Sequence, residues 1–157
     1  MKFANNTIAV ADLQKEVIPD NSAILSFHVG DTNLLCWVIS KNKLDYVKIP
    51  YSDSLVTHIM ELNRELQSND AFNTTSTRTH ARILYRHLIQ PLEEKLIPFD
   101  QLMIIPDDEL SYIPFEFLID SSDQYLIKKF AISFNYSCSL LKKPPAQKQK
   151  RNYSILA

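Results

Sequence analysis

The sequence predicts a mixed α/β (α+β) fold: an antiparallel strand meander, two amphipathic helices, and then core strands of a second type. Three observations predict it. Three runs rich in β-branched and aromatic residues, each set off from the next by a three-residue polar break, open the chain. Two longer stretches repeat leucine or isoleucine at helical spacing. A five-residue apolar run, stopped by proline, then reads as a strand covered on both faces.

The strand runs are 23–29 (AILSFHV), Asn33–Ser40 (NLLCWVIS) and 44–49 (LDYVKI), with Gly30-Asp31-Thr32 and Lys41-Asn42-Lys43 between them. Breaks this short join antiparallel neighbours, because a parallel crossover needs about a dozen residues. In the stretch 54–67, Leu55, Ile59, Leu62 and Leu66 fall on one helical face behind a Ser52 or Asp53 cap. The polar segment 68–79 reads as a loop, and a second helix follows over about 77–90. Leu84, Leu88, Leu92 and Leu96 share a face, but Pro91 lacks an amide hydrogen and forces a kink or a restart.

Pro106 ends the Gln101–Ile105 strand, since proline cannot donate to a central ladder. Pro106-Asp107-Asp108-Glu109 forms a turn, and Pro114 starts a short element through Leu118. Ser121-Ser122-Asp123-Gln124 reads as a turn before 125–127, and 131–136 (AISFNY) is a further strand. Residues 142–151 hold five basic side chains, no acidic ones and two prolines, as a surface loop does. Tyr153-Ser154-Ile155-Leu156-Ala157 then reads as the start of a strand, so the domain is expected to be incomplete.

Composition removes several function classes. The 157 residues are 45% hydrophobic and hold a single glycine, Gly30, against about ten at average usage. Dinucleotide fingerprints, phosphate loops and nucleophile elbows each need several glycines for sharp turns or close backbone approach, so all three are excluded. Neither Cys-x-x-Cys nor His-Glu-x-x-His is present, so no metal ligands are assigned. A net charge of −1 offers no general attraction for nucleic acid or anionic lipid. No apolar stretch reaches the roughly 18 residues of a membrane span, the first residues do not read as a signal peptide, and a cytoplasmic protein is expected. Cys36 and Cys138 read as buried thiols rather than a disulfide.

Individual residues carry further expectations. His80 and His87 stand seven apart on one helix, roughly 10 Å, too far for one metal, and read as surface or capping residues. Arg78, Arg82 and Arg86 form a basic row at four-residue spacing, read as a solvated face because no aromatic platform accompanies it. Trp37 reads as core. Glu116, between Phe115 and Phe117, reads as structural support that needs a basic or backbone partner.

An apolar strand, Pro106-Asp107, a short turn, Leu110, then Pro114-Phe115-Glu116 and Leu118 resembles the central signature of CHAT domains, the caspase-like domains often found beside tetratricopeptide repeats. Upstream, 84–92 (LYRHLIQPL) resembles the family's helix ending in Leu-Ile-x-Pro-Leu. Downstream, Tyr125-Leu126-Ile127 and 131–137 (AISFNYS) resemble its Tyr-Leu-Ile and serine-terminated strands. The resemblance runs from about Asp12 to Ala157 and is motif-rich over 84–140. Asp108 stands where the family usually has glycine, so the turn must be made by a residue that tolerates left-handed geometry less freely.

The resemblance implies a caspase-like sheet and a division of the chain into an extension (1–11), the N-terminal part of a CHAT-like domain (12–141), a basic loop (142–151) and a cut strand (152–157). It also implies cysteine peptidase chemistry, in which a thiolate attacks a carbonyl while histidine handles protons. The family's histidine commonly precedes glycine, and both catalytic residues lie after the segment seen here. None of His28, His58, His80 or His87 precedes glycine, and Cys36 and Cys138 do not occupy the nucleophile's position. No catalytic, cofactor-binding or metal residue is therefore assigned. The expected function is the non-catalytic N-terminal portion of a CHAT peptidase, of a family whose bacterial members serve regulated proteolysis in defence or signalling. The alternatives are a CHAT-like interaction or regulatory module without peptidase activity, and an unrelated small-molecule sensor; an all-antiparallel sheet would favour the sensor. Expected partners are proteins, including repeat domains, and a second copy met through an exposed strand edge. Neither a membrane nor nucleic acid is expected.

Overall fold

The computed structural model describes residues 9–68 and 74–141. The basic loop 142–151, the cut strand 152–157 and most of the 1–11 extension lie outside the described residues.

The chain forms α1 (Val10–Glu16), β1 (Ser22–Val29), β2 (Asn33–Ser40), β3 (Leu44–Pro50), α2 (Asp53–Leu66), α3 (Thr75–Leu88), α4 (Glu93–Leu96), β4 (Gln101–Ile105) and β5 (Ala131–Phe134). The strands make one mixed sheet in the order β3-β2-β1-β4-β5. β1, β2 and β3 are the expected antiparallel meander. β4 runs parallel to both neighbours, β1 and β5, which is the arrangement expected of the CHAT resemblance and not of an all-antiparallel sensor.

Strand alternation gives the sheet two faces. One carries Ala23, Leu25, Phe27, Leu34, Cys36, Val38, Leu102 and Ile104 into the main core, beneath α2 and α3. Leu84, Leu88, Leu92 and Leu96 meet them there as one buried row. Pro91 stands near the start of a 3-10 turn, Gln90–Leu92, after α3 ends at Leu88, so the helix restarts rather than bends. Ser52 Oγ accepts from the Leu55 amide at 3.4 Å and caps α2, as the sequence suggests.

The opposite face carries Ile24, Ile39, Met103 and Ile105, packed with Leu13 and Val17 of the α1 region and with Cys138 and Leu141. The sequence reading drew no helix before the first strand. Val10, Leu13 and Val17 do follow helical spacing, but α1 is two turns long and lacks a side-chain cap at Ala9, so only its contact with the sheet marks it.

Three further expectations are corrected. α3 begins at Thr75, not near 77, because Thr74 Oγ accepts from the Thr77 amide at 3.1 Å; residues 75–79 of the expected loop are helical. Trp37 is not core: it lies on the α1 side of β2, beyond that helix's cover, 37% exposed and tilted against Tyr46 at 5.5 Å. The expected strand 131–136 ends at Phe134, although the Asn135 amide still reaches the Ile104 carbonyl at 3.0 Å.

Candidate functional site

β1, β4 and β5 point the same way, and their C-terminal ends form one rim. Open α/β sheets place ligands at such rims, because the chain turns away there and leaves a crevice. Asp107, immediately after the strand-ending Pro106, ties the rim together. Its Oδ2 accepts from the Val29 amide at 2.9 Å and lies 3.3 Å from Nδ1 of His28. The pair is exposed, the side chain at 73% for His28 and 43% for Asp107, and it joins the ends of β1 and β4 across 78 positions of sequence. No glycine directly follows His28 in the sequence to mark it, and its pairing with Asp107 follows from strand register, which sequence spacing does not show.

The residue after Asp107 makes the turn that the missing glycine would have made. Asp108 adopts φ 47°, the left-handed region, as its place in the signature requires. A 3-10 turn, Asp108–Tyr112, then carries Glu109 to the hydroxyl of Tyr51, which donates to Oε2 at 2.7 Å. Burial, reinforced by that carboxylate, pushes the Tyr51 phenol well above its usual range. Phe115 is fully buried, with ring centroids 5.6 Å from Phe27 and 6.2 Å from Phe134. It anchors the signature segment under the sheet. Outside that anchor, Pro106, Asp107, Asp108, Ser111, Phe134, Asn135 and Tyr136 line an open hollow of about 410 Å³ at the rim.

A CHAT domain model matches residues 78–157, just over half of the chain. The chain belongs to the CHAT domain family. The match begins inside α3 and takes in β4, the rim turn, the Phe115 anchor and β5; the strand meander and α2, which the sequence reading included from Asp12, lie outside it. No curated protein matches the chain.

The thiols of this CHAT chain are poorly placed for nucleophilic work. Cys36 is enclosed in β2, and burial pushes its thiol far above the ordinary range. Cys138 packs on the α1 face, and burial raises it too, against the opposing effect of a hydrogen bond with Ser26. Both are free, as expected, but only Cys36 is buried; Cys138 is half-buried.

Behind the rim, Asp120 is 5% exposed at the end of the signature. Its Oδ1 accepts from the amides of Ser122 and Gln124, both at 2.8 Å, and its Oδ2 lies 2.7 Å from Lys129 Nζ. Burial opposes ionisation, but Lys129 and the two amides outweigh it and hold this carboxyl below the usual range. Lys129 Nζ also donates to Tyr85 Oη at 3.2 Å, and Tyr85 donates to Glu93 Oε1 at 2.6 Å. Burial, with Glu93 beside it, pushes Tyr85 up to about 12.

The basic row is largely engaged. Arg78 and Arg82 both donate to Asp123, which stands at φ 66°, and Arg78 also reaches Tyr125 Oη at 3.2 Å. The partner expected for Glu116 is not found: its Oε2 is buried and has no hydrogen-bond partner among the described residues. His87 Nδ1 lies 2.8 Å from the Ile83 carbonyl, within its own helix. His80 instead meets His58 of α2, a pairing hidden by a separation of 22 positions in sequence. Among the described residues no group of three or more candidate ligands could hold a metal, and no helix is long and apolar enough to cross a membrane.

Proposed function

We propose that this chain is the non-catalytic N-terminal portion of a CHAT-family cysteine peptidase, buttressing a catalytic half that lies beyond Ala157. The observation that carries the reading is β4. It is a strand parallel to both neighbours, closed by Pro106-Asp107 and braced by the Phe115 anchor, so that its end opens onto the rim where a catalytic half would contribute. Cys36 and Cys138, with their thiols raised by burial, favour a nucleophile supplied from elsewhere. In such a protein, repeat domains would control access to the site, in the cytoplasm.

A second reading, a CHAT-like interaction module without peptidase activity, is favoured by one feature. Among the described residues β5 is an edge strand, and the stretch from Ala131 to Leu141 holds no charged residue, whereas the other edge, β3, is flanked and interrupted by Lys43, Asp45, Lys48 and Pro50. Charges and proline blunt an edge against pairing; their lack leaves β5 able to accept a strand from a partner or a second copy.

The coding region downstream of Ala157 tests the first reading. A strand leading to His-Gly and then a strand-end Cys supports it, provided that changing that Cys to Ala abolishes cleavage by the whole protein. A stop codon directly after Ala157 sinks it and leaves the module.

A further inference from the structure

We propose that His58 and His80 form a pH-sensitive latch between α2 and α3, closed while the two rings share a proton and forced open when both are protonated. The Nδ1 atoms face each other at 2.9 Å, with ring centroids 5.1 Å apart and planes at 52°. At that distance one nitrogen must donate and the other accept. Two neutral rings satisfy this with opposite tautomers. One neutral and one charged ring satisfy it better, because the bond becomes charge-assisted. Two imidazolium rings present two N–H groups and no acceptor, so the contact becomes repulsive and the helices must part.

The site is built to resist that second proton. Both rings are half-buried where the helices meet, flanking the faces that Leu55, Ile59 and Leu62 on one side and Ala81, Leu84 and Leu88 on the other fix in the core. Burial, then the charges of His80 and His87 on α3, lower the proton affinity of His58. The acidic group close to the pair is Glu65 of α2; it acts on His80 but is engaged by the hydroxyl of Ser76 at 2.6 Å and shared with Arg64. A base held below its unfolded proton affinity leaves the folded state intact above the unfolded value, about 6.5, and loses stability as pH falls toward the folded value. α2 and α3 together roof the main core, so opening the latch loosens the cover over one face of the sheet.

The test is thermal unfolding of the chain from about pH 7 to pH 5, where histidine is the side chain that ordinarily titrates. His58→Gln and His80→Gln each remove one of the two charges. Each should flatten the acid fall of Tm relative to the parent by at least about 3 °C. Parallel curves for parent and variants would overturn the latch. Should a variant fail to fold, imidazole NMR of the parent decides: two separated titrations at residues 58 and 80, with a Nδ1–H shared between them above the lower one, support it, and two independent titrations near 6.5 overturn it. Zinc chloride alone supplies the remaining arm. A rise of Tm near pH 7 that His58→Gln abolishes would make the pair a metal bite instead and also overturn the proton latch.

Discussion

Replacing Asp120 by Asn probes the charged pair behind the rim with almost no change of shape. The amide oxygen can still accept from Ser122 and Gln124, but the new amide nitrogen faces the Lys129 ammonium 2.7 Å away, donor against donor. Breaking a fully buried pair from one side costs about 3–5 kcal/mol. Lys129 is one-third exposed and keeps Tyr85 as an acceptor at 3.2 Å, so solvent screening brings the expected loss to about 2 kcal/mol. That corresponds to roughly 4–8 °C in Tm for a chain of this size. Asp120→Ala additionally strips both amides of their acceptor and should cost about 3–4 kcal/mol. Urea unfolding reads each loss, and a cycle with Lys129→Met should return a coupling of about 1–2 kcal/mol. The pH dependence has a defined sign. The folded carboxyl lies below its unfolded value of about 3.9, so its contribution is present above that pH and is lost as pH falls through the folded value. In Asp120→Asn that part of the acid limb should vanish. A loss under about 0.5 kcal/mol with no coupling to Lys129 would refute the account of this pair as net stabilising.

Phe115→Ala, which empties the stack between Phe27 and Phe134, should lose about 3–5 kcal/mol by urea unfolding, and a loss below about 1.5 would mean that the signature segment is not anchored there. Asp108→Gly should be neutral within about 0.5 kcal/mol while Asp108→Val loses about 1–2, because a β-branched residue is strained at φ 47°; equal effects would remove the left-handed turn from the explanation. In the native protein Cys36 should react with a thiol reagent only through unfolding, and Cys138 more slowly than a free thiol; labelling of Cys36 at the rate of an exposed thiol would contradict its enclosure in β2.

Local signals were sufficient wherever one residue type forces the backbone or one period dominates. Two short polar breaks and three strand-forming runs defined the meander; the leucine rows defined the buried faces of α2 and α3; Pro91 and Pro106 set a helix interruption and a strand end that a missing amide makes unavoidable. The Pro-Asp, Asp108 and Pro-Phe-Glu residues were enough to identify the family and to predict a left-handed turn without glycine. Tertiary structure decided everything that depends on which distant residues become neighbours. The His28–Asp107 contact follows from the parallel register of β1 and β4, the His58–His80 contact from the packing of α2 on α3, and the Asp120–Lys129 pair from the folding back of the chain after the signature. α1 and the exposure of Trp37 belong with them, because a two-turn helix has too few residues to declare a period, and the side of β2 it covers is settled only by docking. Periodicity fixes which residues turn inward on one element; proximity between elements is a property of the packed whole.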